Sequence, residues 1–218
     1  MTVAQVDLLR SLPKTKRNVG ARETAKTEEH IRISCEFGEM YFDGPREYGY
    51  GGYRYDGRWK PVAKDIVTHF GLKPGDRVLD VGCAKGFLVK DLLAIGIDAY
   101  GIDVSKYALM NCEPEVVGRL QVGSCDDLPF PDKSFDAVLA INIIHNMDRG
   151  GCIRALREME RLAPGKGFIQ VDSYHTPEQK AVFESWVLTA KFYDYPEGWL
   201  KVFDEAGYTG DWDWTVIE

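Results

Sequence analysis

The chain has 218 residues, a formal net charge of −7 at pH 7 and a hydrophobic content of 44%. This length and composition predict one α/β domain with a sizeable core, and they exclude collagen-like and largely disordered classes. The negative charge disfavours DNA as a partner, and no apolar run approaches the roughly 20 residues that a membrane span requires.

Residues 1–60 differ in amino-acid composition from the rest of the chain. Basic side chains are frequent between Arg10 and Arg32, which predicts an N-terminal arm that is either simply solvated or able to meet an anionic group. Residues 41–59 are rich in Tyr and Gly, which favours a mobile loop with rigid aromatic contact surface. We therefore predict an arm and a helical or looped lid within residues 1–60. The alternative for the Tyr-rich part is a loop packed on the core edge.

From Pro61 onward, apolar runs typical of strands alternate with amphipathic helical stretches. This alternation predicts βαβ units and a doubly wound, mostly parallel sheet that occupies residues 61–218. The predicted elements are a helix over 61–70, strand 77–81, helix 87–95, strand 99–102, helix 106–112, strand 120–122, strand 137–144, helix 149–162 and strand 168–172. The tail is predicted to hold a helix after Pro177, a helix over 199–206 and a strand over 211–217, with 186–192 left open between helix and strand.

The segment Val78–Gly86, which reads VLDVGCAKG, carries the strongest chemical signal. A buried strand ends at Asp80, and a turn of small residues then opens a helix. Glycine at positions 82 and 86 would let the backbone approach a ligand where a Cβ would collide. The glycine spacing does not fit the dinucleotide fingerprint, and a Walker lysine followed by Ser or Thr is absent from the motif, so a dehydrogenase or a phosphate loop is disfavoured.

Asp103 stands at the end of the second predicted strand, at the distance from the glycine turn that Rossmann-type sheets use. A carboxylate in this position accepts hydrogen bonds from the two hydroxyls of a ribose. Alone, Asp103 could equally be an acidic residue at a helix start, but its pairing with the turn favours a ligand. Two more segments complete the pattern, GSCDDLPFPDKSFD over 123–136 and REMERLAPGKG over 157–167.

In order and spacing, these segments resemble those of class I S-adenosylmethionine-dependent methyltransferases, especially the UbiE/Coq5-like group that acts on small molecules. The resemblance covers residues 61–172 well and the tail loosely. It implies a Rossmann-like fold with S-adenosylmethionine across the C-terminal strand edges. It also implies a set of cofactor contacts: Asp80, Gly82, Cys83, Ala84 and Gly86 at the methionine part, Asp103 at the ribose, Val104 at the adenine, Ser124, Cys125 and Asp126 at the adenine rim, and Ile141 and Asn142 near the methionine amine and the sulfonium.

Two residues depart from the family pattern. Position 84 is usually Gly and here is Ala, which we expect to shift the loop without loss of the site. Position 124 is often acidic and here is Ser. We expect either the Ser124 hydroxyl or Asp126 to accept from the adenine amine, and the loss of both would weaken the cofactor and enzyme assignments.

Methyl transfer from a sulfonium requires alignment of acceptor, methyl and sulfur, and an amine or phenol acceptor can need a base. His145, after the fourth predicted strand, and His175, after the fifth, are the candidates for that base. Tyr174 is a candidate for orienting the acceptor. The simpler reading of each histidine is a hydrogen-bonded residue at the site's rim. The sequence predicts no metal site.

The leading hypothesis is therefore methyl transfer to an O or N atom of a small polar metabolite, anionic compounds included. Two alternatives stay open: an RNA or protein methyltransferase that uses the basic arm, and a methyltransferase-like binding subunit without turnover. Reduced thiols in a cytoplasmic protein are expected, because the five cysteines are widely spaced and form no CxxC pair. The oligomeric state is open, with a homodimer among the options.

Overall fold

The computed structural model describes residues 4–13 and 26–216. Within them, six parallel strands form one sheet in the order β3-β2-β1-β4-β5-β6. The strands are β1 (Arg77–Val81), β2 (Asp98–Asp103), β3 (Leu120–Val122), β4 (Ala137–Ile141), β5 (Gly167–Asp172) and β6 (Asp211–Thr215). The predicted doubly wound α/β fold is confirmed.

Helices cover both faces of this sheet. They are α1 (Glu28–Ser34), α2 (Glu39–Phe42), α3 (Trp59–Phe70), α4 (Phe87–Leu93), α5 (Lys106–Met110), α6 (Arg149–Leu162), α7 (Pro177–Trp186) and α8 (Pro196–Ala206). Successive strand residues point to opposite faces, so Leu79 joins a core with α6 and α8 while Val78 joins one with α3 and α4. A sheet buried on both faces explains why its strands read as continuous apolar runs.

The strand order reverses at β1, whose neighbours are β2 on one side and β4 on the other. Crossover connections leave these adjacent strand ends in opposite directions, which opens a crevice at the carboxyl edge of the sheet. The strands reach this edge at Val81, Asp103 and Ile141. The fold therefore brings together the motifs that sequence analysis identified.

β4 is shorter than predicted. It ends at Ile141, and residues 144–146 form a 3-10 turn in place of the expected strand. The reason is Asn142, which has a φ of 56°, a left-handed conformation that leaves strand geometry. Residues 186–192, which the sequence left open between helix and strand, form neither beyond Trp186. Helix α7 ends at Trp186, and irregular chain follows up to Pro196.

The first described residues lie along the sheet edge at β6. The Val6 amide donates to the Trp212 carbonyl at 2.9 Å, and the Trp212 amide donates to the Ala4 carbonyl at 3.2 Å. Leu8 and Leu9 are buried beside them. This part of the predicted arm is therefore packed, whereas Lys14, Lys16, Arg17 and Arg22 lie outside the described residues. None of the helices within 4–13 and 26–216 has the length and apolarity needed to cross a bilayer.

Candidate functional site

A cavity of ≈ 210 Å³ lies in the crevice at the carboxyl edge of the sheet. Its walls come from the ends of β1, β2 and β4, from the loop after β3 and from the N-terminal segment 37–50. The lining residues are Phe37, Tyr41, Phe42, Tyr50, Val81, Gly82, Ala84, Ile102, Asp103, Val104, Gly123, Ser124, Cys125, Asn142, Ile143, Asn146 and Met147. The lining thus includes seven of the twelve predicted cofactor residues.

Asp103 is the acidic residue of this lining. Its Oδ2 accepts a hydrogen bond from the Ala84 amide at 2.8 Å, and its Oδ1 accepts one from the Ser105 amide at 2.8 Å. Burial raises the pKa of Asp103, and the amide donors of Ser105, Ala84 and Val104 oppose that rise. Because a carboxylate oxygen has two lone pairs, each oxygen keeps capacity for one further donor, as two adjacent hydroxyls require.

The turn after β1 owes its glycines to close packing within the protein. Gly82 has a φ of 77°, and a Cβ there would lie 2.3 Å from Ile143 Cγ2. A Cβ at Gly86 would lie 2.9 Å from Leu120 Cδ1, away from the cavity lining. Close packing against these two side chains thus requires glycine at both positions, and Gly82 also lines the cavity, where close approach to a ligand stays a prediction. Ala84 has a φ of 49°, in the left-handed region that favours glycine, and a non-glycine residue there costs about 1 kcal/mol.

Asp80 lies behind the lining, where it is 6% exposed. Burial and the nearby Asp103 raise its pKa to about 7. No described residue donates a hydrogen bond to its carboxylate. An ionised carboxylate buried without a partner is costly, and a cation beside it would favour the charged form. The two carboxylates therefore suit this crevice to a cationic ligand.

The loop after β3 forms the other side of the cavity. Ser124 and Cys125 line it, as does Val104, whose side chain is exposed. The Ser124 hydroxyl donates to Asp126, and the second Asp126 oxygen binds the Arg154 guanidinium at 2.9 Å. Asp126 is absent from the lining, so the predicted adenine contact has to come from Ser124, which keeps an acceptor lone pair.

The other predicted cofactor residues outside the lining are Cys83 and Ile141. Cys83 is 4% exposed, and its Sγ lies where a Cβ on Gly101 would collide at 2.6 Å. Ile141 is half-buried and packs against the core on the α3 and α4 side. Both side chains support the cavity from behind and do not face it.

The N-terminal segment covers the cavity with aromatic rings, as the predicted lid would. Tyr41, Phe42 and Tyr50 come from the Tyr/Gly-rich stretch, and Phe37 lies just before it. The Tyr41 and Tyr50 ring centroids are 5.2 Å apart at an edge-to-face angle. Burial raises the pKa of Tyr41 well above its usual value, so its hydroxyl stays protonated. The lid side of the cavity is therefore aromatic and uncharged.

The chain after β4 completes the lining. The Asn142 carboxamide is used within the protein, since Nδ2 donates to Gln170 Oε1 at 3.0 Å and Oδ1 accepts from Thr215 at 2.8 Å. Asn146 differs, because its Oδ1 is buried without any hydrogen-bond partner in the described structure. The sequence analysis missed Ile143, Asn146 and Met147. Between Ile143 and Met147 it had singled out only His145.

His145, the predicted base, is 4% exposed and lies outside the cavity lining. Its Nδ1 accepts a hydrogen bond from the Asp172 amide at 3.2 Å, and its Nε2 is 3.3 Å from the Asp172 carboxylate. Burial lowers its pKa, against the opposing effect of Asp172. Both ring nitrogens are thus engaged by one residue, and this geometry leaves neither available to a substrate.

The other two catalytic candidates are also outside the cavity. His175 is exposed, and its amide donates to Gln179 Oε1 at 2.7 Å. Tyr174 is 2% exposed and packs in a separate aromatic cluster with Phe183 and Tyr195. Burial raises the pKa of Tyr174 to about 12. The predicted catalytic roles of these residues therefore have no geometric support.

Comparison with known proteins finds a protein family whose sequence pattern matches part of this chain. Residues 79–171 match the family described as a methyltransferase domain. A demethylmenaquinone methyltransferase of Symbiobacterium thermophilum is 32% identical over 128 residues, which cover 54% of this chain and 50% of that protein. Phosphoethanolamine N-methyltransferase 1 of Arabidopsis thaliana is 27% identical over 162 residues, covering 68% of this chain and 32% of that protein. The chain thus spans half or less of these relatives.

Solved structures show the same fold. The YcgJ protein from Bacillus subtilis has a TM-score of 0.51 and 20% identity, with 66% of each chain covered. An S-adenosylmethionine-dependent methyltransferase from Methanosarcina mazei has a TM-score of 0.52 and 19% identity, with 64% of this chain and 82% of that chain covered.

Proposed function

We propose that this chain, which carries a class I S-adenosylmethionine-dependent methyltransferase domain of the UbiE type, transfers a methyl group to an oxygen or nitrogen atom of a small molecule. The observation that carries the proposal is Asp103 at the cavity wall. Its carboxylate is oriented by the Ala84 and Ser105 amides and keeps two acceptor positions for a ribose diol. When bound, S-adenosylmethionine supplies an electrophilic methyl group on a positively charged sulfur.

The residues present fit this cofactor. Asp103 would hold the ribose, and Val104, Ser124 and Cys125 would hold the adenine between apolar contacts and one hydroxyl. Asp80, buried and without a hydrogen-bond donor, would favour the positive charge electrostatically. Gly82 and Ala84 provide backbone at the cavity wall. Together these groups bind and orient the cofactor, which is the larger part of what catalysis of a direct displacement requires.

The acceptor would lie beside Asn146, under the aromatic lid. None of the lining residues in the described structure is Lys, Arg or His. An anionic acceptor would thus enter a cavity that already holds Asp103 and, apart from the sulfonium of the cofactor, find no cation to pair with, at a high desolvation cost. This favours an uncharged acceptor over the anionic one that the basic arm suggested. The Asn146 carboxamide is the polar group that we expect to orient it.

The relatives do not decide which molecule accepts the methyl group. One acts by name on demethylmenaquinone and another on phosphoethanolamine, so the two acceptors differ in charge. Support for an uncharged acceptor therefore comes from the lining of this cavity alone. Lid rings that exclude water would protect the cofactor and strengthen the polar contacts inside.

Two measurements test the proposal. Calorimetry with S-adenosylhomocysteine should show binding, and transfer of tritiated methyl groups should be measured with catechol, aniline and phosphoethanolamine as probe acceptors. We expect catechol or aniline to be labelled faster than phosphoethanolamine. Asn146→Leu should reduce that rate about fivefold, the value of one neutral hydrogen bond, while S-adenosylhomocysteine binds as before.

Other outcomes separate the alternatives. Cofactor binding without transfer to a broad metabolite panel would favour a binding subunit. Labelling of RNA or protein in a cell extract, with no labelling of small molecules, would favour a macromolecular substrate. Failure to bind either S-adenosylmethionine or S-adenosylhomocysteine would refute the proposed function altogether.

A further inference from the structure

The lid is fastened to the turn after β1 by an ion pair between a buried lysine and an aspartate that solvent still reaches. Asp43 of the lid accepts hydrogen bonds from Lys85 Nζ, at 2.9 Å to Oδ1 and 2.6 Å to Oδ2. Lys85 is only 7% exposed. The Tyr107 hydroxyl and the Tyr53 amide also donate to the Asp43 carboxylate, at 2.8 Å and 3.1 Å. This carboxylate is thus the point at which lid, turn and α5 meet.

A second fastening joins the lid to the end of β2. The Ser105 hydroxyl donates to the Phe37 carbonyl at 2.6 Å, and Phe37 lines the cavity. The same residue donates its amide to Asp103 Oδ1 and caps α5 by accepting from the Ala108 amide. Ser105 therefore holds both the lid and the carboxylate that would bind the ribose.

Both fastenings begin at the donors that orient Asp103. One donor is the Ser105 amide itself, and the other is the Ala84 amide, which immediately precedes Lys85. We infer that Lys85 and Ser105 are positioning residues that couple occupation of the cofactor site to closure of the lid. This inference rests on the proposed function, since the ligand that would bind Asp103 is the cofactor.

The coupling follows from burial and from where the lid lies. Phe37, Tyr41 and Tyr50 form part of the cavity wall, so a nucleoside ligand enters and leaves past these rings. With the lid open, Lys85 and Asp43 are separated and both hydrated; with it closed, Lys85 is shielded from solvent and pairs with Asp43. A partly open lid would leave the Lys85 ammonium shielded from solvent without its partner, which favours two discrete states over gradual opening.

A ligand on Asp103 would favour the closed state, because it fixes the Ala84 and Ser105 loops from which both fastenings start. Closure then places the aromatic rings of Phe37, Tyr41 and Tyr50 along the cavity wall. The inference therefore also predicts an order of binding, in which cofactor precedes acceptor. Reciprocity requires that closing the lid slows the escape of the cofactor.

Hydrogen exchange and stopped-flow kinetics on the full chain test the coupling. In the wild type, saturating S-adenosylhomocysteine should slow amide exchange in residues 37–53 at least tenfold. Lys85→Met and Asp43→Asn should each remove most of that protection and speed S-adenosylhomocysteine dissociation at least fivefold. Lys85→Arg, which keeps the positive charge, should restore part of both effects.

Arg119→Met provides a matched control. Arg119 also pairs with an aspartate, Asp98, but it does so away from the lid and the cavity lining. We expect this variant to lose stability without any change in dissociation rate. The coupling would be overturned if S-adenosylhomocysteine dissociated from Lys85→Met at a rate within twofold of wild type. It would also be overturned if S-adenosylhomocysteine did not slow amide exchange in residues 37–53 of the wild type. If the wild type binds no S-adenosylhomocysteine, the proposed function fails, and the coupling fails with it.

Discussion

Asp103 and Ala84 are joined by a hydrogen bond of 2.8 Å between carboxylate and amide, across the gap between the ends of β2 and β1. This bond orients the carboxylate toward the cavity and at the same time fixes a turn in which Ala84 is held in a left-handed conformation. One interaction thus defines both the ligand-binding group and the shape of the turn. Substitution of Asp103 should therefore lower the affinity for the cofactor more than it changes any other property of the protein.

Asp103→Ala is expected to weaken S-adenosylhomocysteine binding at least tenfold in calorimetry. The variant removes two acceptors for the ribose diol, and charge-assisted hydrogen bonds of this kind contribute roughly 1.5–3 kcal/mol each. Asp126→Ala is the matched control, because Asp126 was also predicted at the cofactor but is turned to Arg154. We expect it to change the affinity less than threefold. Equal losses in both variants would refute the assignment of the ribose to Asp103.

Asp80→Asn should stabilise the protein without ligand, and more so at high pH. Burial and Asp103 raise the pKa of Asp80 to about 7, against roughly 4 in an unfolded chain. The folded protein binds this proton more tightly, so wild-type stability falls as the pH rises from about 4 to 7 and stays lower above that range. Asp80→Asn has no carboxyl group at this position and therefore does not lose stability in this way as the pH rises. Its advantage in urea unfolding should approach at most about 4 kcal/mol at pH 8 and be smaller at pH 5.

Asp80→Asn should also reduce the preference of the protein for S-adenosylmethionine over S-adenosylhomocysteine. S-adenosylmethionine carries a sulfonium charge that S-adenosylhomocysteine lacks, so an ionised Asp80 should favour the former. We expect the ratio of the two affinities at pH 8 to fall in Asp80→Asn, and to fall in the wild type when the pH drops below about 7. An advantage in stability that is the same at pH 5 and pH 8 would show that the pKa of Asp80 is not raised in the folded protein.

The sequence was informative where backbone pattern and burial determine structure together. The bounds of β1, β3 and α6 agree with prediction, because a sheet covered on both faces requires apolar strands and amphipathic helices of set length. β4 was predicted too long because Ile143 and Ile144 continue the apolar run after the backbone has turned at Asn142. Hydrophobic pattern reports burial, and burial continues past the point where the strand ends.

The site was predicted where a residue's role depends on its place at a strand end, and missed where it depends on side-chain direction. Asp103 and Ser124 lie in the cavity as expected. Asp126 is turned away by Arg154, twenty-eight residues on, a pairing that no local motif signals. Similarly, His145 was selected for its chemistry, whereas its neighbour Asn146 faces the cavity without a distinguishing motif.

His145→Ala is therefore expected to act on stability. The variant leaves the Asp172 carboxylate, which is 7% exposed, without its histidine partner. Removing one member of a buried pair typically costs about 3–5 kcal/mol, so the melting temperature should fall clearly. Below the melting range, S-adenosylhomocysteine affinity and methyl transfer to an active probe acceptor should stay within threefold of wild type. A loss of transfer beyond a hundredfold with normal cofactor affinity would instead restore His145 as the base.

Gly82→Ala tests whether packing against Ile143 fixes the cavity wall. The new Cβ would lie 2.3 Å from Ile143 Cγ2 and 2.8 Å from its Cβ, and the backbone there has a φ of 77°. Ile143 lines the cavity, so any displacement changes the space open to the cofactor. We expect an unfolding free energy lower by about 3 kcal/mol, from left-handed strain plus overpacking, and S-adenosylhomocysteine affinity reduced at least tenfold.

Gly71→Ala separates strain from collision. Gly71 has a φ of 64°, but a Cβ there meets nothing within 4 Å. It should therefore lose only about 1 kcal/mol, with unchanged affinity. Adding Ile143→Ala to Gly82→Ala should recover part of the lost affinity, because it removes the atoms with which the new methyl group collides. If the double variant binds no better than Gly82→Ala alone, Ile143 does not transmit the effect, and the glycine is needed for its backbone conformation only.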